Sequence, residues 1–141
     1  MRIVVDASVV IKWLFADPQR EEHTQEATGL MAAVVEGGIA VLQPVHWLAE
    51  VAAVLARATP GQAEEDAGLL FALSLPVRDG PEILQRACRL AIELDHHLFG
   101  TLYHAVALET DSVLVTADAQ YLNKARRLGQ ILHLADWVPT D

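Results

Sequence analysis

The alternation of apolar and polar positions divides the 141-residue chain into short apolar runs and helical stripes. "RIVV" (residues 2–5) is a β-branched run ending at Asp6 and reads as a buried strand. In "ASVVIKWLF", Val9, Val10, Trp13 and Leu14 share one helical face. "ADP" (16–18) stops that helix, because a residue before proline leaves the helical region. Residues 20–36 predict a second helix, closed by Gly37 and Gly38. "IAVLQP" (39–44) predicts a second strand, and Pro44 suits the first turn of the helix that follows. Over 45–58, Leu48, Val51, Ala52 and Leu55 repeat at helical spacing.

After the break "TPG" (59–61), residues 62–74 predict a helix and "LPVRDGP" (75–81) a short extended piece and turn. Residues 82–95 carry Leu84, Ala87, Ala91 and Leu94 on one stripe. A further helix is expected from about residue 100 to 110, with Phe99, Leu102, Tyr103 and Val106 as its apolar face and Gly100 as its N-cap. "SVLVT" (112–116) is a strand, Asp118 opens a helical segment reaching about residue 128, and "QILHL" (130–134) is a last strand. Strands alternating with helices imply parallel strands covered on both faces, a three-layer α/β/α sandwich with a parallel sheet. With no repeat or linker, residues 1–141 read as a single domain.

Composition narrows the function classes. One cysteine, Cys88, excludes an internal disulfide framework and a multi-cysteine zinc site, and its apolar surroundings place it in the core. No apolar run is long enough for a membrane span, and "MRIVVDAS" is too short and acidic for a signal peptide, so the expected location is cytoplasmic. The apolar content of 52% is rich for a soluble chain and marks a partner interface. A net charge of −9 argues against holding nucleic acid by overall charge; it leaves open a nucleic acid held through metal ions and a local basic patch.

Ligands of such sheets bind beyond the carboxyl ends of the strands. That rule selects Asp6, at the end of the first strand, and Asp118, just past "SVLVT". Glu50, nearly two turns into the helix after the second strand, joins them if the first strand and "SVLVT" are neighbours. Clustered carboxylates repel unless protons or cations intervene, and hard oxygen donors suit Mg²⁺ or Mn²⁺. Such ions activate water and stabilise a phosphoryl group in in-line displacement, which indicates phosphodiester hydrolysis. Each residue has a plainer role as well: Asp6 and Asp118 as helix caps, Glu50 as a solvated helix residue.

Taken together, "IVVDASVVIKW", "HWLAEVAAVL", "HHLFGTLYHAVALE" and "LVTADAQYL" resemble, in order and spacing, the acidic motifs of PIN domains, in particular VapC-type toxins. The resemblance covers nearly the whole chain. It implies a Mg²⁺- or Mn²⁺-dependent endoribonuclease acting on RNA, with Asp6, Glu50 and Asp118 as catalytic and metal-binding residues. It implies Ser8 and Thr116 as supporting hydroxyls, a VapB-like antitoxin as partner, and a homodimer. The departure is Gly100, which stands where the family carries a third acid. The loss of one carboxylate implies weakened or absent activity.

Other signals are weaker. Lys124, Arg126 and Arg127, in "NKARR", either guide RNA phosphates or form a solvated helix end. Asp95, five residues before Gly100, is not expected to fill the gap. His96, His97 and His104 form no i, i+4 pair and read as ordinary surface histidines rather than ligands of a softer metal. Trp13, Trp47 and Trp137 read as core or interface. A different class of function also fits: a catalytically dead PIN-fold binding module that keeps its antitoxin and dimer contacts. A receiver-like phosphoacceptor fits less well, because no second acid stands beside Asp6 and no lysine ends the last strand.

Overall fold

A computed structural model describes residues 1–15 and 21–139. The helix stop expected at 16–18, and the first residue of the helix expected over 20–36, lie outside them. The elements in chain order are β1 (Arg2–Val5), α1 (Ala7–Leu14), α2 (Thr24–Val35), β2 (Ala40–Val41), β3 (Gln43–Pro44), α3 (Trp47–Ala58) and α4 (Ala63–Ala72). They continue with β4 (Val77–Arg78), α5 (Pro81–Leu94), α6 (Leu98–Glu109), β5 (Val113–Thr116), α7 (Ala119–Ala125) and β6 (Ile131–His133). Short 3₁₀ turns follow α7 and β6. The central sheet is parallel, in the order β2-β1-β5-β6, and the helices form the outer layers of an α/β/α sandwich.

Sheet position explains the sequence of the strands. β1 lies between β2 and β5, and Ile3, Val4 and Val5 are fully buried. A strand covered on both faces is apolar at every position rather than at alternate ones. α6 behaves likewise: Thr101 to Ala107 are all buried, so this helix is enclosed rather than amphipathic. The Thr101 hydroxyl donates to the Ala87 carbonyl of α5 at 2.8 Å, which keeps a buried polar group paired. Trp13, Trp47 and Trp137 all join the buried cluster, as their core reading expected.

Several local expectations are corrected. The single strand expected over 39–44 is two short pieces, β2 in the main sheet and β3 in a separate pair with β4. Pro44 lies in β3, and the next helix starts at Trp47. In α5 the buried stripe is Ile83, Ala87, Leu90 and Leu94, while Leu84 is half exposed, because the helix is turned by one residue from the expected face. That rotation also leaves Cys88 exposed rather than in the core. α6 begins at Leu98 with His97 as its N-cap, so Gly100 is its third residue and Phe99 points outward, 57% exposed.

Gln43 explains the break between β2 and β3. β2 pairs with β1 only as far as Ile3↔Val41, which leaves the last residue of β1 without a strand on that side. The fully buried Gln43 side chain takes the strand's place: its Oε1 accepts from Val5 N at 2.7 Å and its Nε2 donates to Val5 O at 2.9 Å. An amide side chain thus completes the ladder one residue before Asp6. Gln43→Ala is expected to cost about 2–4 kcal/mol, from two unpaired buried backbone groups and a cavity. Gln43→Leu fills the volume but not the pairing, so urea denaturation should still show a loss of about 2 kcal/mol. A leucine variant as stable as the parent would contradict this account.

Candidate functional site

β1 and β5 are hydrogen-bonded neighbours in register Val5↔Val115, so their carboxyl ends open together. Asp6 follows β1 and caps α1. Its Oδ2 accepts from Ser8 N at 3.1 Å and from Ser8 Oγ at 2.5 Å. Ser8 Oγ in turn accepts from Ala117 N at 3.0 Å, in the loop after β5. The buried Thr116 hydroxyl accepts from Asp118 N at 3.0 Å, and Asp118 Oδ1 caps α7 by accepting from Tyr121 N at 3.1 Å. Both aspartates are therefore helix caps and cleft residues at once. One strand-to-helix turn serves both roles, so the two readings of these residues do not compete.

Glu50 reaches the cleft from α3. Its Oε1 accepts from the Tyr103 hydroxyl of α6 at 3.0 Å. Burial, helped by the nearby Glu50 and Asp6 charges, raises the Tyr103 pKa, so this hydroxyl stays a donor. Burial raises the Glu50 pKa, and the Tyr103 hydrogen bond partly opposes it. One turn before Glu50, burial pushes the His46 imidazole down, toward the neutral form. Its Nε2 then donates to the Phe99 carbonyl at 2.8 Å, with Glu50 Oε2 3.6 Å away. His46 thereby ties the acid-bearing helix to the first turn of α6.

Among the cleft carboxylates Asp6 is the one moved furthest: burial raises its pKa from 3.8 to about 6, and the charges of Glu50 and Asp118 push the same way against the Ser8 hydrogen bonds. Asp6, Glu50, Asp118 and Gly100 line one cleft of ≈ 250 Å³. Hydrogen bonds among the described residues engage one oxygen of each carboxylate: Asp6 Oδ2, Glu50 Oε1 and Asp118 Oδ1. The remaining oxygens are hard donors of the kind a divalent cation takes. Among the described residues no three His, Cys, Asp or Glu side chains already converge closely enough to hold an ion. The donor chemistry fits a divalent cation, without a preformed cage.

Gly100 faces the same cleft, but the space beside it is taken. A Cβ at this position would stand 2.8 Å from His96 Nε2, 2.9 Å from His96 Cδ2 and 2.9 Å from His97 Cε1. His97 Nδ1 accepts from Gly100 N at 3.1 Å as the cap of α6. The two rings stack at 4.4 Å, and His96 leans on Tyr121 at 4.7 Å. These two histidines are cleft residues rather than ordinary surface ones. His104, also read as a surface residue, is fully buried instead, between the Tyr121 hydroxyl and the Gly129 carbonyl at 2.9 Å each.

None of the basic cluster is among the residues lining the cleft, and two of its three members engage α5 and its C-terminal cap. Lys124 donates to the Asp95 carbonyl at 2.9 Å, and Arg127 pairs with Glu93 at 2.7 Å; Arg126 is exposed. Asp95 ends α5 in the left-handed region, exposed and outside the residues lining the cleft. Sequence reasoning missed His46 and Tyr103. Both carry a spacing signal: His46 stands at i−4 from Glu50 and Tyr103 at i+3 from Gly100, each on the same helix face.

A family model described as the PIN domain matches residues 3–128. The fold is shared with the crystal structure of VapBC2 from Rickettsia felis bound to a DNA fragment from their promoter. That match has a TM-score of 0.66 at 13% identity, over 94% of this chain and 97% of that one. PAE2754 from Pyrobaculum aerophilum matches with a TM-score of 0.56 at 16% identity, over 96% and 90%. FitAB bound to an IR36 DNA fragment matches with a TM-score of 0.62 at 14% identity, over 99% of both chains. No curated protein matches the chain.

The raised Asp6 pKa fixes a sign. The folded state binds this proton more tightly than the unfolded state, so its stabilising effect is complete below about pH 4 and is lost as pH rises through about 6. Asn at this position keeps the cap without the charge. Asp6→Asn is therefore expected to stabilise the protein in EDTA at pH 7.5 by about 1–2 kcal/mol, and to give no gain at pH 4. Thermal denaturation at the two pH values checks this.

Proposed function

Because the chain belongs to the PIN domain family, whose members are generally nucleases, we propose that it is a metal-dependent endoribonuclease toxin whose activity is weakened by Gly100. The observation that carries this reading is that Asp6, Glu50 and Asp118 line one cleft beyond the carboxyl ends of two adjacent parallel strands. Asp6, Glu50 and Asp118 would hold Mg²⁺ or Mn²⁺. When bound, that ion supplies an activated water and neutralises charge on the phosphoryl group under attack. Ser8 and Thr116 hold the two aspartates in place. Tyr103 orients Glu50 by donating to its Oε1. In this reading Lys124, Arg126 and Arg127, which follow Asp118 in the sequence, would contact RNA phosphates and locally offset a net −9 that otherwise repels RNA.

The partner in this reading is a VapB-like antitoxin, supported by the likeness to the VapBC2 and FitAB structures. An apolar hollow lined by His46, Ala49, Ala53 and the exposed Phe99 adjoins Glu50, and suits an apolar side chain of such a partner. A second copy of the chain, the homodimer of this reading, would cover exposed Phe71 and Ile92. No helix among the described residues is long and apolar enough to cross a membrane. The missing acid and the absence of a preformed three-ligand group among the described residues favour a second reading, a binding module without catalysis.

RNA cleavage in Mg²⁺ or Mn²⁺ separates the two. The nuclease reading expects Gly100→Asp to cleave roughly tenfold or more faster than the parent, and expects EDTA or added Asp6→Asn to abolish the gain. If neither the parent nor Gly100→Asp cleaves any RNA, while both bind antitoxin, the binding-module reading replaces it.

A further inference from the structure

Of the six histidines only His104 is fully buried, and both of its ring nitrogens are engaged. The Gly129 carbonyl, 2.9 Å from Nε2, can only accept, so the proton of the neutral ring sits on Nε2. Nδ1 therefore accepts, and the Tyr121 hydroxyl, also at 2.9 Å, donates to it. Tyr121 carries this buried pair to the cleft: it lines the cleft with Asp118, and its backbone N–H donates to Asp118 Oδ1 at 3.1 Å. We propose that His104 is a positioning residue of the cleft, which acts through the Tyr121 hydroxyl to hold the start of α7, and with it Asp118, against α6. This rests on reading the cleft as the functional site, and adds what fixes one of its acids.

α7 has only seven residues, and isolated helices under about 12 residues are marginal in water. Its buried side chains are Tyr121, Leu122 and Ala125, of which Tyr121 alone has a polar atom. Apolar contact has no preferred direction, whereas a hydrogen bond does, so the Tyr121 bond fixes the rotation of the first turn that Asp118 caps. Burial raises the Tyr121 pKa, which keeps its hydroxyl a donor. The pairing requires His104 to be neutral, because a protonated ring cannot accept from Tyr121. Burial lowers the His104 pKa, the Gly129 carbonyl opposes that shift, and Arg86 of α5 reinforces it. Arg86 is itself paired with Glu109 of α6 at 3.4 Å. The folded state thus binds this proton less tightly than the unfolded state. The contribution of neutral His104 is complete above about pH 6.5 and is lost as pH falls below it.

Amide hydrogen exchange at the cap of α7 and calorimetric titration with Mn²⁺ test this together. His104→Leu keeps apolar bulk without either bond, and Tyr121→Phe loses only the hydroxyl. Each is expected to lower the protection of the Tyr121 and Leu122 amides roughly fivefold or more at pH 7.5. The double variant should lose little beyond the larger single loss, since both break one bond. His104→Gln offers an oxygen to Tyr121 and an N–H to Gly129, so its protection should stay within about twofold of the parent. The unfolding equilibrium constant of the parent should rise roughly tenfold or more relative to that of His104→Gln between pH 7.5 and 5. Mn²⁺ affinity should fall roughly tenfold in His104→Leu and return in His104→Gln. Leu30→Ala, a cavity in the core beneath α2, should lower stability and leave that affinity unchanged. Unaltered protection in both His104→Leu and Tyr121→Phe, or lost protection with unaltered Mn²⁺ affinity, would overturn the positioning role; so would a His104→Gln variant that behaves as His104→Leu does. A parent that takes no Mn²⁺, or an Asp118→Asn variant that binds it as the parent does, sinks the reading of the cleft as a cation site instead, and the exchange data then judge His104 independently.

Discussion

Two parallel strands that end side by side leave backbone donors with no ladder to join, and each one buried unpaired costs about 1–3 kcal/mol. Ser8 resolves this where β1 and β5 end. Its hydroxyl proton goes to Asp6 Oδ2 and its lone pair takes the Ala117 N–H. That single oxygen links the entry of α1 to the loop that carries Asp118. Thr116 then holds the Asp118 amide from the last residue of β5. On the opposite flank, Gln43 closes the open side of Val5. The separation of the two aspartates is thus set by side chains that finish the sheet, and the cleft inherits the rigidity of the sheet's end.

Holding carboxylates this way has an electrostatic cost, and several of the basic groups among the described residues are engaged elsewhere. Lys12 is paired with Glu21, Arg127 with Glu93, and Lys124 with a carbonyl. His46, the basic group nearest Glu50, is held toward neutrality by burial. The consequence is visible at Asp6 and Glu50, whose protons are held more tightly than in water. A group that must either keep a proton or meet a cation is a common mark of a functional site rather than of a structural one.

The sheet was legible because its signal is local: β1 and β5 are continuous β-branched or apolar runs, each followed by an aspartate. The same is true of the three acids, which strand ends and helix positions place without knowledge of packing. What was not legible depends on partners distant in sequence. Nothing in "IAVLQP" says that Gln43 will serve Val5 with its side chain, so one strand was read where two short ones form. In α5, Leu84 and Ile83 fit a helical stripe equally well, and only packing against α6 selects Ile83 and turns Cys88 outward. The histidines escaped for the same reason. His96 and His97 follow the left-handed Asp95, and that reversal folds their rings back over the start of α6.

That reversal changes the meaning of Gly100. As an N-cap, glycine would cost only a few tenths of a kcal/mol. It is instead the third residue of α6, inside the helix, where glycine costs about 1 kcal/mol relative to alanine. An acid there would also favour the positive end of the helix dipole. Local energetics therefore disfavour glycine twice, and something else must compensate. The compensation in the structure is the pair of imidazoles: His97 reaches back to cap the Gly100 amide, and His96 lies in the space left by the absent Cβ. Read as a deletion, Gly100 leaves the site one carboxylate short. Read with its neighbours, it exchanges a fourth negative charge in the cleft of Asp6 and Asp118 for an imidazole ring, which lowers the repulsion in that cleft.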